Sequence, residues 1–279
     1  MPRRQRLDAE LVRRGLARSR EQAVVLIDCG RVSVAGMVAG KPATAVTSDV
    51  AIVVHTESDR PDYASRGGHK LAGALAAFAP QGLQVHGKRC LDAGASTGGF
   101  TDVLLRAGAR EVAAVDVGYG QLAWELQRNE RVRVHDRVNV RELTLEHIGD
   151  PVDLLVADLS FISLRLVLPA LAGVTRPGGD LVLMVKPQFE VGRELLGRGG
   201  VVRNPDLHAA AVLTVAGAAM ELGWGTRAVC ASPLAGPAGN VEYFVWLRRD
   251  APAATEQAVA AAVATRPPGA RPPGERVAR

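Results

Sequence analysis

From residue 89 to residue 247 the chain alternates short apolar runs with amphipathic ones, and that rhythm leaves few folds open. The runs 89–92, 111–116, 132–135, 152–157, 180–185, 225–231 and 241–247 have the length and apolar content of strands. Between them, residues 99–108, 121–128, 163–173 and 206–222 read as helices, and an Ala/Leu-rich helix over 68–78 leads in. Two parallel strands need a crossover of about a dozen residues or more, and helices of this length supply it. Repeated βα units therefore predict the α/β class: a doubly wound, seven-stranded, mostly parallel sheet.

Sheets of this kind bind ligands at the first crossover. Here it reads Leu91-Asp92-Ala93-Gly94-Ala95-Ser96-Thr97-Gly98-Gly99-Phe100. Glycines at a strand-to-helix turn let a ligand approach the backbone. Asp116 ends the second strand about twenty residues on, where a carboxylate can hold the two hydroxyls of a ribose. Asp136 follows the third strand and is the candidate for an adenine edge. Ala95 and Ser96 interrupt a Gly-x-Gly-x-x-Gly fingerprint, which disfavours a dinucleotide dehydrogenase. An acid two positions before the first glycine, then Gly-x-x-x-Gly-Gly-Phe-Thr, resembles instead the first motif of S-adenosylmethionine methyltransferases, whose fold is Rossmann-like. That resemblance implies S-adenosylmethionine as cofactor. It implies a site made by Asp92, Gly94, Ala95, Ser96, Thr97, Gly98, Phe100, Asp116 and Asp136, with Asp158 at the end of the fourth strand.

The first twenty residues carry Arg3, Arg4, Arg6, Arg13, Arg14, Arg18 and Arg20 against Asp8 and Glu10, in a chain of net charge +5. So dense a basic patch points to a polyanion partner, and nucleic acid fits best. Leu7, Leu11 and Val12 keep helical spacing up to Gly15. Ser19 and Gln22 form a capping-box pattern for a second helix that Gly30 ends. Strands over 32–34, 37–38 and 50–54 follow, the first two turned by Ala35-Gly36. This order resembles the S4-type RNA-binding domain. By that resemblance Arg3, Arg4, Arg6, Arg18, Arg20, Arg31 and Lys41 face RNA backbone, and Arg66 just downstream is grouped with them. The expected domains are thus an S4-type module over 1–60, a linker over 61–67, a catalytic domain over 68–250 and an Ala/Pro/Arg-rich disordered tail over 251–279.

Cys29, Cys90 and Cys230 are odd in number and scattered, which argues against a disulfide framework or a zinc site and fits a reducing cytoplasm. The first residues are charged and no apolar run follows them, so no signal peptide is expected. The longest apolar stretch, 152–174, contains Asp153, Asp158 and Arg165 and is too interrupted to span a bilayer. A soluble protein without a membrane partner is expected.

Positive charge in this chain is overwhelmingly Arg, and the only lysines are Lys41, Lys70, Lys88 and Lys186. An amine, unlike a guanidinium, can be desolvated and lose its proton. Lys41 and Lys88 read as surface charges. Lys70 sits in Ser65-Arg66-Gly67-Gly68-His69-Lys70-Leu71 and Lys186 in Val185-Lys186-Pro187-Gln188-Phe189. Two acidic motifs accompany them, Ala157-Asp158-Leu159-Ser160-Phe161 and Asn240-Val241-Glu242-Tyr243-Phe244. With the S4-type module and the glycine loop, these motifs resemble the TlyA/hemolysin A family of rRNA ribose methyltransferases over roughly residues 3–249. The family is similar in its catalytic domain to the FtsJ-type ribose 2′-O-methyltransferases. Their Lys-Asp-Lys-Glu tetrad falls here on Lys70, Asp158, Lys186 and Glu242. The resemblance implies methylation of cytidine 2′-hydroxyls in ribosomal RNA of the small subunit, and in some species of the large one. One segment departs: where some relatives carry Arg-x-Trp-Val before Ser-Arg-Gly, this chain has Arg60-Pro61-Asp62-Tyr63-Ala64.

The chemistry asks for such residues. A ribose hydroxyl is a poor nucleophile and a sulfonium methyl a strong electrophile, so the enzyme must align the two and help remove the proton. In this reading Lys186 takes that proton, its amine brought below its usual value of about 10.4 by burial and positive neighbours. Asp158 orients the amine and faces the sulfonium, and Glu242 holds Lys70 and the ribose. Three rivals are weighed. Base methylation usually goes with an Asn/Asp-Pro-Pro-Tyr motif or a catalytic Cys, and neither stands here. A membrane-lytic protein lacks a spanning helix, and a non-catalytic RNA-binding protein would have no need of an intact loop and tetrad.

Overall fold

The computed structural model describes residues 4–28, 30–55, 63–197 and 199–265. Arg3, Cys29, Arg60 to Asp62 and the chain beyond Thr265 lie outside the described residues. The chain divides into two compact units, residues 1–67 and 68–279.

In the first unit, β1 (Gln5–Arg6) leads into α1 (Leu7–Arg13), and α2 (Arg20–Asp28) packs against it. Ser19 Oγ caps α2 by accepting from Gln22 N at 3.2 Å, and the Gln22 side chain accepts from Arg18 N at 2.6 Å. β2 (Val32–Val34) lies between β3 (Met37–Val38) and β5 (Ile52–Val54), both antiparallel to it. Ala35 and Gly36 turn the β2–β3 hairpin with positive φ (48° and 78°), the backbone a two-residue primed turn requires. The short β4 (Ala45–Val46) pairs with β1, and Leu7, Leu11, Ala23, Ile27, Val32 and Val46 close the core.

The second unit opens with α3 (Arg66–Phe78), so the last two residues of the expected linker are helical. Its sheet comprises β6 (Arg89–Ala93), β7 (Glu111–Asp116), β8 (Val132–Asp136), β9 (Val152–Ala157), β10 (Thr175–Val185), β11 (Gly225–Ala231) and β12 (Tyr243–Arg248). The spatial order is β11-β12-β10-β9-β6-β7-β8, parallel except at β12, which runs antiparallel to both neighbours. The helices are α4 (Gly99–Arg106), α5 (Trp124–Gln127), α6 (Leu145–Ile148), α7 (Leu168–Val174), α8 (Pro187–Glu190), α9 (Pro205–Glu221) and α10 (Glu256–Ala264). β6, β9 and β10 are buried on both faces, and their Leu91, Leu155, Leu181 and Leu183 form the core with α7 and α9.

Four expectations are corrected. α5 keeps only four residues of the predicted 121–128, because Asp116 and Asp136 hold the amides of Gly118 and Gly120 in a loop ahead of it. α7 starts late: Pro169 sits in its first turn and disfavours helix upstream, so residues 164–166 take a tighter turn. β10 begins at Thr175, pairing with Val152 before a bulge and resuming at Asp180 opposite Leu154. Of the tail expected to be disordered over 251–279, residues Glu256–Ala264 form α10, and the part beyond Thr265 lies outside the described residues. Thr255 Oγ1 caps α10 by accepting from Ala258 N at 3.2 Å, and Val259 and Ala262 are buried. Alanine-rich sequence was read as low complexity, but alanine is also the strongest helix former.

Candidate active site

Strand register brings the four tetrad residues to one edge. Val185 pairs with Tyr243, so Lys186 and Glu242 follow on adjacent strands, facing each other at the ends of β10 and β12. Ala157 pairs with both Ala93 and Leu183, which sets Asp158 one step past the end of β9, beside the glycine loop. The Lys186 ammonium lies 2.6 Å from Asp158 Oδ1 and donates to Ser160 Oγ at 2.9 Å. Lys70, on α3, donates to Glu242 Oε2 at 2.5 Å, their side chains 8% and 2% exposed. Two lysine–carboxylate pairs thus stand where the register brings neighbouring strands together.

The loop from β11 to β12 packs around the second pair. A β-carbon on Gly73 of α3 would strike Pro233 at 2.6 Å, and one on Gly236 would meet Glu242 Oε1 at 2.7 Å. Asn240 is buried and bridges to the chain beyond Lys186: its Oδ1 accepts from Val202 N at 2.9 Å and its Nδ2 donates to Gly200 O at 3.0 Å. His208 completes the clamp, Nε2 donating to Val202 O at 2.9 Å and Nδ1 lying 2.8 Å from the Tyr243 hydroxyl. Glu242→Ala leaves the Lys70 ammonium buried and unpaired. The expected cost is about 3–5 kcal/mol of stability, with much of it recovered in the double variant Lys70→Met/Glu242→Leu. Denaturant unfolding of the three proteins checks this.

The glycine loop is arranged for close approach rather than for anions. Gly94 (φ 82°) and Ala95 donate their amides to Val115 O, and Ser96 N donates to Asp116 Oδ2 at 2.8 Å. A β-carbon on Gly94 would meet Asp158 O at 2.6 Å. With these amides engaged, the loop offers no phosphate cradle. Thr97 is exposed, and Gly98 packs against Leu122 and Leu126. Asp116 and Asp136 pair in register, and Asp116 also accepts from Gly118 N, its remaining lone pairs left over. Phe100 departs from the cofactor expectation: it is buried against Phe244, ring centroids 6.0 Å apart, and serves the core.

Asp92 Oδ1 is buried and accepts no hydrogen bond, whereas the buried Asp158 Oδ1 is held by the Lys186 ammonium. Asp92 is fully buried, and only its Oδ2 is bonded, by the Thr101 hydroxyl at 2.7 Å. Burial, with Asp158 and Asp116 nearby, pushes the Asp92 carboxyl up to about 7 against the pull of Thr101. An unsatisfied buried acceptor with a second carboxylate near it suits a ligand carrying an ammonium and a sulfonium, as S-adenosylmethionine does.

Phe161 and Ser160 were quoted in a motif but given no part. Phe161 is 91% exposed at φ 64°, its ring 5.3 Å from Phe189, whose own ring centroid lies 6.0 Å from the Lys186 ammonium. A large aromatic just past a strand end was the available signal.

In the first unit, Arg6 and Arg20 both donate to Asp8, and Arg13 and Arg14 to Glu10. Both acids are buried. The Arg6 hydrogen bond holds the Asp8 carboxyl well below its usual range, and Arg13 and Arg14 bring Glu10 to about 2. Both are therefore ionised at neutral pH, fixing four arginines in place while offsetting part of their charge. Arg4, Arg18 and Lys41 are exposed, Arg31 donates to His55 O at 3.2 Å, and Arg66 is half-buried at the start of α3.

Comparison with known proteins places the chain in a family. Residues 63–249 match the FtsJ-like methyltransferases and residues 5–52 the S4 domain. The 16S/23S rRNA (cytidine-2′-O)-methyltransferase TlyA of Mycobacterium tuberculosis is 61% identical over 89% of this chain and 91% of its own. Hemolysin A of Brachyspira hyodysenteriae is 34% identical over 86% and 98%. A solved structure from Streptococcus thermophilus, named as a candidate hemolysin, superposes with TM-score 0.72 at 38% identity, covering 95% of both chains. No helix among the described residues is long and apolar enough to cross a membrane. An FtsJ-like domain ending in paired lysines and carboxylates, an S4 domain ahead of it and relatives matched over most of their length lead to one assignment: the chain belongs to the TlyA/hemolysin A family of FtsJ-like methyltransferases.

Proposed function

We propose that this enzyme transfers the methyl group of S-adenosylmethionine to the ribose 2′-hydroxyl of cytidine in ribosomal RNA, acting on ribosomal subunits in the cytoplasm. The observation that carries the reading is the Lys186–Asp158 pair, standing beside the glycine loop and across the strand ends from Lys70–Glu242. When bound, the cofactor supplies an electrophilic methyl. Asp92 and Asp158 receive its positive groups, and Asp116 and Asp136 hold its nucleoside end. Lys186, in its neutral amine form and steadied by Asp158 and Ser160, takes the hydroxyl proton on its lone pair and becomes the ammonium, while Glu242 and Lys70 position the ribose. Phe161 offers an open ring to a neighbouring base. The basic residues of the S4 unit, Arg4, Arg6, Arg18, Arg20, Arg31 and Lys41, hold the RNA backbone with Arg3 and Arg66. Base methylation through a cysteine gains no support: burial pushes the thiols of Cys90 and Cys230 up to about 12, far from a thiolate at neutral pH. Incubating the protein with labelled cofactor and subunits that lack the modification tests the reading; label must enter ribosomal RNA, and a Lys186→Ala control must not transfer it at a comparable rate.

Cofactor binding should depend on pH. The folded value of Asp92, about 7, lies above its unfolded value of about 3.9. On its own it therefore contributes stability that is lost as pH climbs from about 4 to about 7. A cation at Oδ1 favours the carboxylate, so binding below pH 7 releases a proton. Affinity should weaken below pH 7, approaching tenfold per unit. Calorimetry between pH 6 and 8 should show that slope, and Asp92→Asn should flatten it.

A further inference from the structure

We infer that the outward face of α5, where Arg128 stacks on Trp124, is a second RNA contact of the catalytic unit and receives an unpaired base of the substrate; this rests on the reading of the substrate as RNA. Leu122 and Leu126 point at the glycine loop, since a β-carbon on Gly98 would collide with both. Trp124 lies two residues before Leu126 in α5, about 200° round the helix and on the side away from the cofactor loop, and Arg128 follows at its C-cap. Trp124 is 64% exposed, whereas the other tryptophans, Trp224 and Trp246, are fully buried. The Arg128 guanidinium sits 4.7 Å from the Trp124 ring centroid and makes no ion pair among the described residues. The backbone sets the stack, because Arg128 N donates to Trp124 O.

A second stack of the same kind follows the neighbouring strands. Tyr119 is 71% exposed, with the Arg137 guanidinium 4.4 Å from its ring centroid. Arg137 holds a φ of 60°, and its amide donates to Gly118 O at 2.9 Å. Tyr119 and Arg137 follow the ends of β7 and β8, where Asp116 and Asp136 close those strands. A rigid ring with an unpaired guanidinium on it presents a flat face and a positive charge, the pair of features that captures an unstacked base and its phosphate. Gln121, Glu125, Gln127 and Arg128, the exposed sequence neighbours of Trp124, are all polar or charged, unlike the apolar core of a protein-binding surface.

The test uses the full chain, ribosomal subunits lacking the modification, and the variants Trp124→Ala, Trp124→Phe and Arg128→Ala. Trp124→Ala should raise KM for subunits by roughly fivefold to a hundredfold, the range for losing one stacked base. Trp124→Phe should recover most of that, and Arg128→Ala should give an intermediate rise. S-adenosylmethionine affinity and kcat at saturating RNA should hold within about twofold of wild type. An unchanged KM in Trp124→Ala would overturn the inference. So would a parallel loss of cofactor affinity, which would make the ring a cofactor wall, or self-association of the wild type that the variant lacks, which would make it a protein interface. If the wild type itself transfers no methyl to RNA, the proposed function fails instead, and the two failures are distinct.

Discussion

Lys186→Ala should lower methyl transfer to ribosomal RNA by roughly 10²–10⁴-fold, the span covered by a positioned general acid or base. Cofactor affinity should stay within a few-fold. The amine reaches Asp158 and Ser160 at the strand end, whereas Asp92 and the loop backbone belong to the neighbouring crossover. Asp158→Ala should damage both properties, because its carboxylate holds the Lys186 ammonium while its backbone lies against Gly94 of the glycine loop. Calorimetry with single-turnover assays separates the two effects. Near-normal turnover in Lys186→Ala would remove the base assignment.

Deleting residues 1–60 should abolish methylation of ribosomal subunits and leave cofactor binding intact. Each unit has its own core, that of the first built on Leu7, Leu11, Ile27 and Val32, and the residues assigned to the cofactor run from Asp92 onward. In the intact protein, activity at limiting RNA should fall steeply with salt, as expected where Arg and Lys displace counterions from phosphates. Arg6→Glu and Arg20→Glu should weaken every RNA alike, since backbone contacts position a protein without reading sequence. Both exchanges also place a carboxylate against buried Asp8, so each variant needs its folding checked by circular dichroism. Subunit methylation by the truncated protein at the wild-type rate would end the two-unit account.

What the sequence made legible follows period and punctuation. Buried parallel strands announce themselves as apolar runs, and β7 and β9 begin and end at the residues their patterns predict, as does the half-buried antiparallel edge strand β11. The tetrad was visible as well, because lysine stands out against so much arginine and each member sits in a short motif. Elements shaped by partners distant in sequence were less visible. α5 was shortened by Asp116 and Asp136, one of them sixteen residues from the amide it binds, and α10 depends on a surface of α9 and β11 that no local pattern displays. The Asn240 clamp joins residues thirty-eight and forty positions apart, and nothing in its neighbourhood hints at the partners. Phe100 was misplaced because a motif reports position along the chain and not the direction of a side chain.

The account turns on which atom receives the methyl group. Ribosomal RNA labelled by the purified protein and digested to nucleosides should carry the label in 2′-O-methylcytidine, as mass spectrometry of the separated sugar and base fragments would show. Label on the base fragment would contradict the tetrad mechanism, whatever the rate at which it was transferred.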